Sequence, residues 1–116
     1  MQKLSLDAIA RQQLAAARTA TAARSSTTVY GGHEHALRQT VLALLADATL
    51  AEHDNPGEAT ICVLSGRVVL TAEGTSWEGR TGDLIIIPDA RHSLQAVEDS
   101  TILLTAVPRA HIKQLG

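Results

Sequence analysis

From residue 37 onward, segments rich in Val, Ile, Leu and Thr are cut every eight to twelve positions by residues that set or tolerate turns. This spacing constrains the fold more than any other feature. The breaks fall at Asp47, Asn55-Pro56-Gly57, Ser65-Gly66, Glu73-Gly74, Gly79 to Gly82, Pro88-Asp89 and Glu98-Asp99. They predict strands at 37–45, 48–53, 59–64, 67–73, 75–78, 83–87, 92–97 and 100–107. By propensity alone 37–45 also reads as a helix. Many short strands without intervening helices imply an antiparallel sandwich or a closed barrel.

The start of the chain has a different period. Leu6, Ile9, Ala10, Leu14 and Ala17 recur at three- and four-residue spacing, which predicts a helix over 5–24 capped by Ser5, with Asp7 and Arg18 suited to its dipole. Its apolar stripe is narrow and Ala-rich, so it is expected to pack over a barrel mouth or a partner subunit. Residues 25–32, small and Gly-terminated, read as a linker. The expected division is a helix and arm over 1–32, a β domain over 33–107 and a polar tail over 108–116 that contains His111.

A chain of 116 residues has room for one domain. With ten Lys+Arg against twelve Asp+Glu and no basic block, nucleic acid is not an expected partner. Tyr30 and Trp77 are the only aromatic residues, too few to build stacking platforms. Trp77 is expected in the core or an interface. Cys62 lies in the apolar run Ile61 to Leu64 and reads as a buried core filler, not a nucleophile. No stretch reaches the roughly 18 apolar residues of a membrane span, and Asp7 and Arg11 interrupt any leader-like core, so a soluble cytoplasmic protein is expected.

The chemistry-bearing residues are the histidines at 33, 35, 53, 92 and 111. His53 closes a predicted strand before Asn-Pro-Gly, and His92 opens one after Pro88-Asp89. Two strand-borne imidazoles are thereby expected to meet inside the fold. His33-Glu34-His35 puts two rings on one face if extended, although after Gly31-Gly32 a solvated surface segment is the expected reading. Arg38 and Gln39 begin the first predicted strand, within reach of a ligand or on an edge. Glu52, Asp54 and Arg91, which flank the two histidines, are expected to face solvent.

Two stretches carry a resemblance: Glu52 to Gly66, with its His53-Asp54-Asn55 and terminal Ser65-Gly66, and Gly82-Asp83-Leu84-Ile85-Ile86-Ile87-Pro88-Asp89-Ala90-Arg91-His92. Together with their flanks they resemble the cupin superfamily over about 37–107. The resemblance implies an all-β antiparallel barrel, the jelly roll or double-stranded β-helix, here preceded by an α-helix. It also implies a divalent iron, manganese, nickel or zinc ion held by imidazoles and a carboxylate. The pattern departs from the family at several places. Asn55 occupies the second place of the His-x-His, Ala59 stands where the carboxylate falls, Glu58 is one position early, and the Gly of the second motif is missing.

The expectation is therefore a small-molecule pocket around His53 and His92, with Asn55 and Gln39 beside them. His33, His35 and Glu58 are the candidates to complete a metal set. A metal-dependent dioxygenase or isomerase acting on a small acid or sugar-like substrate is the alternative to binding without turnover. A homodimer is expected in either case.

Overall fold

The computed structural model describes residues 1–53 and 57–108, and at Glu52 and His53 the backbone alone. It contains one helix, α1 (Leu6–Thr19), followed by β1 (Arg24–Tyr30), β2 (Arg38–Leu44), β3 (Thr49–His53), β4 (Gly57–Ser65), β5 (Arg67–Ala72), β6 (Thr75–Arg80), β7 (Leu84–Ile86), β8 (His92–Ala96) and β9 (Ser100–Pro108). All eight predicted strands are present, and 37–45 is a strand, not a helix.

Ser5 caps α1 as expected, its Oγ accepting from the Ala8 N–H at 3.2 Å. The helix stops at Thr19, five residues short of the expected end, because the chain reverses through Ala23 (φ 57°) to enter β1. The expected linker is therefore a strand. Thr27, Thr28, Val29 and Tyr30 favour extended backbone, and β1 pairs antiparallel with β2 from Arg24↔Leu44 onward. Its Ser and Thr residues are exposed on alternate positions, as on a sheet edge.

The strands form two antiparallel sheets, ordered β1-β2-β9-β4-β7 and β3-β8-β5-β6. They stack as a jelly-roll-like sandwich and do not close into the expected barrel. At one side Arg24 Nη1 of β1 donates to the Thr49 carbonyl of β3 at 3.0 Å, so the edges β1 and β3 adjoin. At the other side Gly79 of β6 backs onto Ile85 of β7 and Val63 of β4, so closely that a Cβ there would lie 2.7 Å from Ile85 Cδ1. Strands β2 and β9 consequently face β3 and β8 across the gap, about 10 Å wide in stacked sheets.

Leu42, Leu44, Ile61, Val63, Ile102, Val68, Leu70 and Leu94 fill that gap. The opposite face of the larger sheet is also apolar at Val41 and Ala43, both fully buried, because α1 lies across β1 and β2 there. The helix thus covers its own sheet, with Ala10 and Ala17 buried, and not a barrel mouth or a partner. Small residues on that stripe let the helix approach the sheet closely, and Ser25 Oγ reaches Gln13 Oε1 at 2.7 Å.

Two further expectations change. Cys62 alternates with the buried Ile61 and Val63, so it lies half-buried on the outer face of β4. Trp77 is 45% exposed on the edge strand β6 and is not a core residue.

Candidate functional site

The sandwich has two chemically different ends. Strand β2 begins, β3 ends, β4 begins, β5 ends, β8 begins and β9 ends at the same one. Connections 31–37, 73–74 and 87–91 lie there. His33, His35, His53 and His92 all belong to this end, and His111 follows β9 in sequence, outside the described residues. The other end holds the tight Ser65-Gly66-Arg67 hairpin, where buried Ser100 accepts from Arg67 N–H at 2.9 Å.

At the histidine end, His53 and His92 are register partners across β3 and β8, as are His92 and Ala72 across β8 and β5. Directly opposed residues of antiparallel strands have Cα atoms about 4.5–5.5 Å apart. A bulge between Leu50 and His53 sets this match, since the three steps from Leu50 to His53 on β3 span only the two from Leu94 to His92 on β8. His92 alternates with Leu94 and Ala96, both in the core, so its ring points between the sheets, and it is only 4% exposed. Its Nδ1 lies 3.1 Å from the Ala90 carbonyl oxygen. A carbonyl only accepts, so Nδ1 is the donor of this bond.

Across the gap, Ala59 and Ala106 are register partners at the same end, and Ala106 pairs with Arg38 on β2. Ala59 and Ala106 are buried and small, and Ile87, whose N–H donates to the Ala59 carbonyl at 3.1 Å, continues the row. An imidazole therefore faces a row of small apolar side chains flanked by an arginine.

The other predicted site residues are placed differently. Gln39 shares a face with Val41, outside the sandwich, where its Nε2 donates to Thr105 Oγ1 at 3.2 Å, so it does not line the interior. Glu58 is exposed and alternates with buried Ala59, so it points away from His92. His33 lies in a turn closed by His35 N–H donating to the Gly32 carbonyl at 3.3 Å. Both side chains are exposed, with the His35 ring 5.0 Å from that of Tyr30. The segment is the solvated turn expected of it, and the two rings do not stack along an extended strand. Asn55 lies outside the described residues. Arg91 is exposed.

A divalent transition metal needs three or four protein ligands. Among the described residues no group of three His, Cys, Asp or Glu side chains is arranged to hold one. Ala59, where the family resemblance places a carboxylate, offers only a methyl. The described donor set does not fit the metal, and no chemical step is derived through one. No helix among the described residues is long and apolar enough to cross a membrane.

No protein-family model matches the chain, and no curated protein matches it. Solved structures do. A conserved protein of unknown function from Streptococcus pyogenes superposes with a TM-score of 0.67 at 29% identity, covering 73% of this chain and 74% of that one. A Cupin 2 conserved barrel domain protein from Salinispora arenicola gives 0.71 at 15% identity over 98% of this chain and 94% of that one. An RmlC-like cupin from Desulfovibrio desulfuricans gives 0.64 at 22% identity over 73% and 82%. With two antiparallel sheets in jelly-roll order and these neighbours, the chain has the fold of the cupin superfamily.

Proposed function

We propose that this protein binds a small polar molecule at the histidine end of the sandwich, and that binding there does not depend on a metal. The observation that carries the reading is His92: a buried imidazole, oriented by the Ala90 carbonyl, directly opposite His53 and facing small side chains. Small-molecule pockets set a few polar groups of this kind among apolar walls. Turnover by a metal-dependent enzyme is the weaker reading, because Ala59 and outward Glu58 leave the carboxylate ligand without a source among the described residues.

The test is a thermal-shift panel of small acids, sugars and nucleotides on tag-free protein. A ligand at a hundred times its Kd stabilises the folded state by about 2.7 kcal/mol. The expected result is a shift with at least one class that His92→Ala removes. No shift across the panel refutes the reading.

The same proposal takes the protein as a homodimer. Leu84 and Ile86 of the edge strand β7 are 62% and 75% exposed, and they continue an outer sheet face through Cys62 and Leu103. A second copy packing face to face would cover that surface without involving α1, which is already occupied.

A further inference from the structure

Strand β7 is the last strand of the larger sheet. Its backbone parity is fixed by two bonds toward β4: Ile87 N–H donates to the Ala59 carbonyl at 3.1 Å, and Val63 N–H donates to the Asp83 carbonyl at 2.9 Å. With Ile85 opposite Ile61 in the same register, residues 83, 85 and 87 turn their backbone groups to β4. The N–H and C=O of Leu84 and Ile86 therefore point out from the sheet edge. Among the described residues no hydrogen bond reaches them there. A cavity of about 380 Å³ lies along this edge, lined by Leu84, Ile85 and Ile86 together with Asp83, Trp77 and Glu78. Because the side chains of a strand alternate between faces, successive residues line one cavity only where it runs beside the backbone. Trp77, the register partner of core residue Leu70, forms the opposite wall from β6.

We propose that this edge takes up an extended peptide segment of another protein, added antiparallel to β7, in which successive apolar residues are followed by a lysine or arginine. The site is independent of the histidine end. The open N–H and C=O groups of Leu84 and Ile86 form ladder bonds to any extended backbone, and the side chains of the segment then set its specificity. Residues opposite Leu84 and Ile86 lie beside those exposed side chains on the outer face, while the residue between them points inward with Ile85 toward Trp77. Apolar side chains suit all of these positions. Charge sets the next one. The Asp83 carboxylate accepts only the Arg80 backbone N–H, at 2.8 Å, and among the described residues it forms no ion pair, because the Arg80 guanidinium is turned to Glu78. In an antiparallel segment the residue opposite Asp83 follows the apolar run, and a cation there meets the carboxylate. A second copy of β7 does not supply one. Pairing about a two-fold axis at Ile85 sets Ile87 opposite Asp83, and Ile87 is an apolar residue buried in its own sandwich.

The probe is the peptide acetyl-Ser-Val-Ile-Val-Lys-Ser-amide, titrated into isotopically labelled full-length protein. Trp77, the sole tryptophan, reports the cavity by its fluorescence, and amide exchange followed by NMR reports the edge. In the free protein the Leu84 and Ile86 amides are expected to exchange faster than that of Ile85. Saturating peptide is expected to slow both by about tenfold or more and to move the Trp77 emission to shorter wavelength. Methylating the nitrogen of the second valine, which faces Leu84, should weaken binding by about tenfold, whereas methylating the isoleucine nitrogen, which faces away from β7, should leave it within about a factor of two. Lys→Gln in the peptide and Asp83→Asn in the protein should each weaken binding about threefold, and no further when combined. Losses that simply multiply overturn the basic-residue assignment. Equal binding of the two methylated peptides overturns the strand addition, as does a peptide that moves neither Trp77 nor the two amides. If the Leu84 and Ile86 amides are already protected without peptide and lose that protection on dilution to monomer, a second copy holds the edge and the proposal fails.

Discussion

Gly66 and Gly82 share the same φ of +91° but differ in surroundings, and that pair isolates what holds the hairpin end together. A Cβ on Gly82 meets nothing within 4 Å. A Cβ on Gly66 would lie 2.8 Å from Ser100 Cα and closer still to Ser100 Oγ and the Asp99 carbonyl. Neither of those neighbours can move freely. Ser100 is buried and accepts from Arg67 N–H, and the strand start at β9 is fixed by Leu44↔Ser100 pairing. An alanine in the left-handed region costs about 1–2 kcal/mol, and overpacking against fixed atoms adds about 1–3 kcal/mol. Gly82→Ala is therefore expected to cost about 1–2 kcal/mol and Gly66→Ala about 2–5 kcal/mol. At about 4 °C per kcal/mol for a chain of this size, the melts should fall by roughly 4–8 °C and 8–20 °C. Calorimetry or circular dichroism on the two variants measures both. Equal losses would refute the claim that the Ser65–Arg67 hairpin is pinned against β9.

Four further outcomes follow from the same packing. Leu70→Ala, at a fully buried position between the sheets, should lose about 2–5 kcal/mol in urea denaturation. Cys62→Ser should change stability by no more than about 0.5 kcal/mol, because the thiol faces outward; a core-sized loss would contradict its placement. Ile86→Lys should shift light scattering from dimer to monomer without lowering the monomer's melting temperature, whereas an unchanged mass would exclude the β7 face as the interface. Metal analysis of tag-free protein should find less than about a tenth of an equivalent of iron, manganese, nickel or zinc; a stoichiometric metal lost in His92→Ala would overturn metal-free binding.

Much of the fold is legible because turn residues and alternation coincide over 57–108: in β4, buried Ala59, Ile61 and Val63 alternate with Glu58, Thr60 and Cys62. Glu58, one position before Ala59, falls on the outward side of that alternation. The alternation fails at 41–44, where Val, Leu, Ala and Leu are buried in succession because the core covers one face and α1 the other. With parity erased there, Gln39 and Arg38 cannot be assigned to a side from sequence, and Gln39 was placed inward when Arg38 is the inward one. The β1 strand was missed for a related reason, since the Ser and Thr of a half-exposed edge look like those of a linker. The His53↔His92 match depends on the bulge after Leu50, which no local pattern announces.

The residues that brace the sandwich and those that would meet a ligand stand at opposite poles of the molecule. Gly66, Ser100 and Arg67 lock one pole, with the Ser100 hydroxyl bonded to the Arg67 backbone, while the histidine pole is made of strand tips and connecting segments. Changes of length or chemistry in 31–37 or 87–91 leave the locked corner untouched, so recognition can drift toward new molecules while the architecture that supports it keeps its stability.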